Sequence, residues 1–336
     1  MRLTASAVAA FAALTLATAA AAAAAPPPPD GWMVYPTPKP DACEWRRANY
    51  SDRQWRVRLD NGRLVIEPAS TPRPKTVATP AFDIPPVPEV PAGHVPCDDC
   101  VLRVADGWLV GFNRGEWGGG LWWTNPQGRN AKPINRGERC AGIRDAGPPL
   151  STREDLFRTR QLSNIVSVRR GYTHAFAFAG IVYYGDTGSL SRIERRDGTW
   201  QACVVRNLEA TPETLVEDAP ENWLVLVAAR TEPPERPGAL IRVDSAGQVQ
   251  RLAEPAFSAR SILFPNSMVK LPDGTLYVGM THFVARLIPN ARGGYTEQLL
   301  LPKNRPPFDY DDLIDDPHYN ATCPRLPKPA GSTPPR

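Results

Sequence analysis

The chain has 336 residues, and its 39 basic and 35 acidic side chains give a formal net charge of +4. The basic residues form no block, so the charge pattern of a nucleic-acid-binding protein is absent and we expect no nucleic-acid partner. The 38 prolines and 25 glycines interrupt short runs of alternating apolar and polar residues. This composition predicts many turns, few long helices and an all-β fold.

The first residues have the features of a secretory signal. Arg2 precedes an apolar run from Leu3 to Thr18, and an alanine tract from Ala19 to Ala25 supplies small residues for cleavage. We therefore predict a signal peptide over residues 1–24, a periplasmic or secreted protein, and no transmembrane segment after cleavage. The alternative is an uncleaved membrane anchor, although alanine is only weakly hydrophobic. No cysteine precedes Cys43, which argues against a lipid-modified N-terminus.

The segment from Phe264 to Leu287 shows most clearly a strand pattern that recurs along the chain. Val269 and Leu271 alternate with polar neighbours, Pro272-Asp273-Gly274 forms a tight turn, and an apolar return strand begins at Leu276. Two further runs follow at similar spacing, as in one blade of a β-propeller.

Turns of the same kind recur along the chain with a spacing near that of propeller blades. They are Asp60-Asn61-Gly62, Ala105-Asp106-Gly107, Arg169-Arg170-Gly171, Pro220-Glu221-Asn222 and Pro272-Asp273-Gly274. Third strands are predicted at 120–123, 189–193, 239–243 and 284–287, and fourth strands at 132–135, 200–205, 249–253 and 295–301. We predict a β-propeller with five or six four-stranded blades over residues 55–302.

Proline-rich segments flank the predicted propeller, at residues 25–54 and 303–336. Trp32 to Tyr35 is expected to complete a blade from the other terminus, which would leave no long edge exposed. Residues 136–164 are predicted as an insertion on the ligand-facing side, with Ser151 and Glu154 forming a capping box for a short helix. We expect a monomer.

Six cysteines in an exported chain predict disulfide bonds. They are Cys43, Cys97, Cys100, Cys140, Cys203 and Cys323. One hypothesis is that Cys43 and Cys323 join the two proline-rich ends. For Cys97 and Cys100 three interpretations stay open: a disulfide, a redox pair, or a zinc site that includes His94.

The sequence PNSMVKLPDGTLYVG, which begins at Pro265, resembles the repeat of six-bladed propellers of the SMP-30/gluconolactonase, strictosidine-synthase-like and NHL groups. The resemblance covers one blade closely and three others loosely. It implies a propeller and, for a lactonase, an axial calcium ion held by Glu, Asn and Asp oxygens. Only Asn266 is carried over to that ligand set, and the Glu-Gly-Pro opening of the first blade is absent. Apart from calcium under this alternative, we expect no cofactor.

In a four-stranded blade, the entry to the first strand and the loop between the second and third strands lie on one face of the ring. We call this the entry face. The polar and aromatic residues expected there are Asn113, Arg114, Glu116, Trp117, Asn164, Asp186, Arg230, Glu232, Asn266, Thr281 and His282. From them we predict a ligand-binding set of Arg114, Glu116, Trp117, Asp186, Arg230, Asn266 and His282.

The most unusual of these loops runs from Asn113 to Gly119. Glu116 and Trp117 lie there among glycines and could form a platform for a carbohydrate or peptide, although tryptophans packed between blades are also ordinary propeller construction. His282 could act as a general base or ligand, or only satisfy local hydrogen bonds.

Two classes of function remain open from the sequence. One is an exported propeller that binds a small molecule, glycan or envelope protein on its entry face. The other is a lactonase-like hydrolase with an axial metal, which would need several convergent oxygens or a positioned acid and base.

Overall fold

The structure, a computed structural model, describes residues 26–39, 42–49, 51–72, 78–84, 98–113, 119–143, 162, 164–181, 187–208, 210–229, 237–257, 263–304 and 323. In chain order, the elements are β1 (Trp32–Tyr35), α1 (Cys43–Asn49), β2 (Trp55–Asp60), β3 (Arg63–Pro68), a 3-10 helix (Asp98–Cys100), β4 (Val101–Val104), β5 (Gly107–Asn113), β6 (Gly119–Thr124), β7 (Lys132–Pro133) and β8 (Arg136–Arg139). They continue with β9 (Ile165–Arg170), β10 (Ala175–Ile181), β11 (Thr187–Arg196), β12 (Thr199–Leu208), β13 (Pro212–Ala219), β14 (Asn222–Val227), β15 (Ala239–Asp244), β16 (Val249–Ala253), β17 (Ser267–Lys270), β18 (Leu276–Gly279), β19 (Val284–Pro289) and β20 (Tyr295–Pro302).

The described strands form five antiparallel meanders, which we call blades 1 to 5 in chain order. Blade 1 contains β2 and β3, blade 2 contains β4 to β7, blade 3 contains β9 to β12, blade 4 contains β13 to β16, and blade 5 contains β17 to β20. Two blades gain a fifth strand at the outer edge: β8 joins β12 in parallel, and β1 joins β20 antiparallel. The protein is an all-β propeller, as the sequence predicts.

Apolar clusters between successive blades order the sheets around an axis. One cluster joins blades 2 and 3, the next joins blades 3 and 4 around Trp223, and a third joins blades 4 and 5. A fourth cluster packs blade 5 against Val57 and Ile66 of blade 1. The remaining face of blade 2 packs against Phe82 and Ile84. Each blade is therefore stabilised by apolar burial against a neighbour rather than by its own hydrogen bonds alone.

The predicted turns have the backbone that their residues favour. In the turn from β2 to β3, Asn61 and Gly62 both have positive φ, 48° and 76°, as a type I′ hairpin requires. The predicted third strands correspond to β6, β11, β15 and β19. The fourth strand of blade 2 is shorter than predicted, because β7 ends at Pro133 and the chain then leaves for the edge of blade 3 as β8. The predicted insertion therefore begins with a strand.

The N-terminal segment links the last blade to the first. β1 pairs with β20, in the position that the sequence predicts for Trp32 to Tyr35. The chain then forms α1, whose Trp45 packs edge-on against Phe283 at 6.2 Å between ring centroids, and enters β2. This segment thus crosses from the outer edge of blade 5 to the inner strand of blade 1. Among the described residues, no helix is long and apolar enough to cross a membrane.

Two disulfide bonds fix the ends and one edge of the ring. Cys43 pairs with Cys323, as hypothesised from the sequence, and Cys140 pairs with Cys203, which ties the end of β8 to β12. Cys100 is also disulfide-bonded, whereas Cys97 and His94 lie outside the described residues. None of the described cysteines is free. These bonds fit a protein that folds in an oxidising compartment.

One ion-pair cluster joins blades 4 and 5 at the end opposite the entry face. Asp218 of β13 accepts hydrogen bonds from Lys270 Nζ at 2.6 Å and from Arg242 Nε at 2.9 Å. Burial alone would raise the pKa of Asp218, but the hydrogen bonds and charges of Lys270 and Arg242 outweigh it and hold that pKa below its ordinary value.

We expect Asp218→Asn to lower the free energy of unfolding by about 2 kcal/mol at pH 7, because two cations lose a partly buried partner. A carboxyl whose folded pKa is depressed contributes stability above its unfolded pKa and loses it as the pH falls through the folded value. The difference from wild type should therefore shrink towards pH 3. Urea unfolding at both pH values measures it, with the exposed Asp30→Asn as control. A difference of the same size at pH 3 would contradict the ion-pair explanation.

The two described disulfides close loops of different length, with sequence separations of 280 and 63 residues. Because loop-closure entropy grows with loop length, replacing Cys43 and Cys323 by serine should cost about 1 kcal/mol more than replacing Cys140 and Cys203. Chemical denaturation of the two double variants measures the difference. A larger loss for the Cys140–Cys203 pair would show that native-state contacts around β8, rather than chain entropy, dominate.

Candidate functional site

The inner strands of the five blades are β2, β4, β9, β13 and β17, and each begins on the entry face. Polar residues lie at or near these beginnings: Gln54, Asn164 and Asn266 directly precede their strands, Asp99 lies two residues before β4, and Glu213 is the second residue of β13. We call this set the axial mouth. Sequence reasoning identified Asn164 and Asn266 but missed the other three, although their position at the start of each inner strand was a usable signal.

Close backbone packing holds the start of a third strand against the entry of the next inner strand. A Cβ on Gly119, the first residue of β6, would lie 2.7 Å from Asn164 Cα. A Cβ on Gly188 of β11 would lie 2.3 Å from the carbonyl oxygen of Ala210, just before β13. Only glycine permits these approaches. The starts of β6 and β11 therefore lie beside the entry of the next inner strand.

Glu213 is the extra residue of a β-bulge at the start of β13. Pro212 pairs with Val227 and Thr214 pairs with Leu226, so Glu213 has no opposite residue on β14. Bulges redirect side chains and are common beside active sites. The side chain is half-buried, and burial raises its pKa to about 8. A carboxyl that is partly accessible yet strongly desolvated has protein on most sides, as in a channel mouth.

Asn266 lies at the same end of its strand as Glu213. At the far end of the two strands, Lys270 of β17 bonds Asp218 of β13, so Asn266 before β17 and Glu213 near the start of β13 both lie towards the entry face. The Asn266 amide donates to the Trp55 carbonyl at 3.0 Å and accepts from the Ser267 hydroxyl at 2.8 Å. Asn266 is exposed but fixed in orientation by these two bonds.

Phe264, two residues before Asn266, supplies an exposed aromatic surface at the entry of β17. It is 52% exposed and has φ of 44°, a conformation that is rare for a bulky side chain. Pro265 follows it and is buried. A strained, exposed aromatic residue at a strand entry is a candidate for a functional role, since such strain concentrates at binding sites.

His282 is buried rather than exposed at the mouth. Its accessible fraction is 0%, its Nδ1 lies 2.9 Å from the Ser51 hydroxyl, and its backbone N–H donates to the Arg53 carbonyl at 2.6 Å. The segment between α1 and β2 covers this loop. The geometry favours the hydrogen-bonding interpretation of His282 over the ligand-binding one.

The other predicted ligand-binding residues lie outside the described residues. They are Arg114, Glu116, Trp117, Asp186 and Arg230, and Glu232 lies outside them as well. Asn113 and Thr281 are described: Asn113 ends β5 and is exposed, whereas Thr281 is 2% exposed and bonds the Leu263 carbonyl through its N–H. The capping box at Ser151 also lies outside the described residues.

The axial mouth does not fit the calcium site that the lactonase resemblance implies. Both amide atoms of Asn266 are engaged within the protein, and Asp99 is paired with Arg169 at 3.0 Å. Within the described part of the chain, no three His, Cys, Asp or Glu side chains lie together as a metal site.

Comparisons with known proteins identify no family. No protein-family model matches the chain, and a search of curated proteins finds no match. Among solved structures, a GH43 β-1,3-galactosidase with galactodeoxynojirimycin shows 8% identity and a TM-score of 0.38, covering 59% of this chain and 73% of that one. A streptogramin B lyase shows 12% sequence identity and a TM-score of 0.30, and the match covers 62% of this chain and 59% of that one. A protein from Lactobacillus plantarum shows 13% identity and a TM-score of 0.32, with 61% of this chain and 57% of that one covered. Scores this low carry no argument about function, so the fold rests on the strand topology.

Glu213→Gln should remove the contribution of Glu213 ionisation to the pH dependence of the free energy of unfolding. Because the folded pKa is raised, the favourable contribution of the protonated carboxyl is complete below pH 4.5 and is lost as the pH rises towards 8. We expect the variant to match wild type at pH 4 and to exceed it at pH 9 by about 1–3 kcal/mol, allowing for the partial exposure. Thermal unfolding at both pH values measures this.

The matched control is Glu217→Gln, an exposed carboxyl on the same strand. It should change stability by less than about 0.5 kcal/mol at either pH. Equal behaviour of the Glu213 and Glu217 variants would mean that Glu213 is solvated normally.

Proposed function

We propose that this protein is an exported β-propeller that binds a ligand at the axial mouth, in the sector between β13 and β17. The observation that carries the proposal is the exposed Phe264 ring with its positive φ, at the entry of β17 and two residues before Asn266, at the end of the strands where Glu213 also lies. An aromatic face with a few oriented polar groups is the usual composition of a small-molecule site.

The ligand class follows from the charge state of the mouth. With a pKa of about 8, Glu213 is mostly protonated at neutral pH and can both donate and accept a hydrogen bond. The exposed Asn266 amide has a second N–H and a second oxygen lone pair beyond its two bonds within the protein, and Phe264 offers an apolar surface of the kind on which sugar rings pack. These groups suit an uncharged, hydroxylated ligand, so we favour a glycan over other small molecules or an envelope protein.

The predicted residues of the neighbouring loops, among them Arg114, Glu116 and Trp117, belong to the same proposal as further contacts. Export is proposed on two grounds: the signal-like sequence of residues 1–24 and the disulfides of the folded chain. No observation favours the hydrolase alternative, because its metal ligands are not brought together among the described residues.

A panel of neutral mono- and disaccharides, screened by calorimetry at pH 6, tests the proposal. We expect Phe264→Asn to weaken binding by at least about tenfold, because the aromatic face is lost. Stability should not fall, because asparagine tolerates positive φ. The control is Tyr172→Asn, which removes an aromatic residue that is 78% exposed at the opposite face.

The pH dependence gives an independent check. Binding of a neutral sugar should weaken between pH 6 and pH 9 as Glu213 ionises, and Glu213→Gln should remove that dependence. A panel with no binder, or binding that is equally strong in Phe264→Asn, would overturn the assignment of the mouth as a glycan site.

A further inference from the structure

A buried arginine lies far from the axial mouth, on the outer half of blade 5. Arg286 of β19 is 0% exposed and pairs across the sheet with Tyr277 on one side and Gln298 on the other. Its face of the sheet is the one that packs towards blade 1, where Val284 and Leu300 contribute to the apolar cluster with Trp32. The guanidinium group therefore lies at the edge of an apolar interface.

Within the described part of the chain, few of the hydrogen-bond donors of this guanidinium group have an acceptor. Nη2 donates to the carbonyl of Pro26, and the Tyr277 ring lies 6.0 Å from the guanidinium carbon. In the part of the chain that the structure describes, Nε and Nη1 have no acceptor, and no carboxylate forms an ion pair with the group. The buried Oε1 of Gln298, on the neighbouring strand, likewise has no donor.

Burying the Arg286 guanidinium group without a counter-charge lowers the stability of the fold, unless an anion binds beside it. Arginine does not lose its proton in proteins, so burial cannot neutralise Arg286 as it neutralises Glu213. A buried, uncompensated charge typically costs several kcal/mol, and a buried water would satisfy hydrogen bonds but not the charge. A small anion that accepts from Nε or Nη1 would satisfy both.

The cover over Arg286 is thin. Pro26, whose carbonyl accepts from Nη2, is itself exposed. The Pro29 carbonyl accepts from the Trp32 N–H within a local turn, and the first bond to blade 5 in the backbone is at Gly31, whose carbonyl accepts from the Lys303 N–H just before β1. Residues 26–29 can therefore move aside without loss of the β1–β20 pairing. This gives an ion a route to the guanidinium group.

We propose that Arg286 anchors a binding site for one small monovalent anion, such as a halide, beneath the N-terminal cover formed by residues 26–29. Rotation of the Gln298 amide exchanges its Oε1 for its NH₂ group, which then donates to the same anion. The anion would fasten the N-terminal cover to blade 5. The site is independent of the glycan site proposed at the mouth.

Thermal unfolding of the full chain in sodium chloride, sodium bromide and sodium gluconate, at one ionic strength, tests this site. Gluconate is too bulky for a buried position. We expect a saturable rise in Tm of about 2–4 °C as chloride or bromide replaces gluconate, since binding to the folded state alone raises stability. Arg286→Met should abolish the rise, and should melt above wild type in gluconate because its buried charge is gone.

The matched control is Arg292→Met, which removes an exposed arginine from the turn after the same strand and should retain the halide effect. Equal Tm values in the three salts, or the same halide effect in Arg286→Met as in wild type, would overturn the proposal. If Arg286→Met does not fold, a wild-type crystal soaked in bromide decides. An anomalous peak within hydrogen-bond distance of Nε or Nη1 supports the site, and the absence of a peak at Arg286 refutes it.

Discussion

In the described part of the chain, blades 2 to 5 bury apolar side chains on both faces, and this constraint governs the rest of the structure. In β14, Trp223, Val225 and Val227 face the cluster with blade 3, whereas Leu224 and Leu226 face the cluster with blade 5. A single meander of this composition would expose one apolar face to water, so it is stable only between two neighbours. The ring is therefore the unit that folds, and blades 2 and 5 gain part of their burial from segments outside the blades.

The covers come from the segments between and before the blades. Blade 2 receives Phe82 and Ile84 against Trp108, and blade 5 receives β1 and α1. The path from β1 through α1 to β2 crosses part of the entry face, where it buries His282 beneath Ser51 and Arg53. The closure of the ring thus removes one loop from the accessible face and leaves the sector of β13 and β17 as the open part among the described residues.

Three charged groups of low exposure show how differently this fold treats buried charge. Asp218 has two cationic partners and a lowered pKa, which is the arrangement of a structural ion pair. Glu213 has no ion-pair partner among the described residues and a raised pKa. Arg286 cannot shed its proton and has one backbone acceptor in the described chain. Stability explains the first of these three, whereas the other two are better explained by ligands.

Local sequence determined a large part of this architecture. Alternating apolar runs and Asx-Gly turns predicted the third strands and most of the hairpins, because strand period and turn chemistry act over a few residues. The Cys43–Cys323 disulfide could be hypothesised from the sequence because both cysteines lie in the proline-rich segments that flank the propeller. The polar residues Asn164 and Asn266 were found because they precede recognisable strands.

Tertiary structure alone decided the rest. The bulge that makes Glu213 project at the mouth depends on the register between β13 and β14, which no local pattern specifies. The burial of His282 depends on Ser51 and Arg53, which follow α1, a helix that the proline-rich sequence around it did not indicate. The isolation of Arg286 arises because the residues before β1 close over a position of β19 on the face towards blade 1, and the contact of Arg286 with Pro26 joins residues 260 positions apart in the chain.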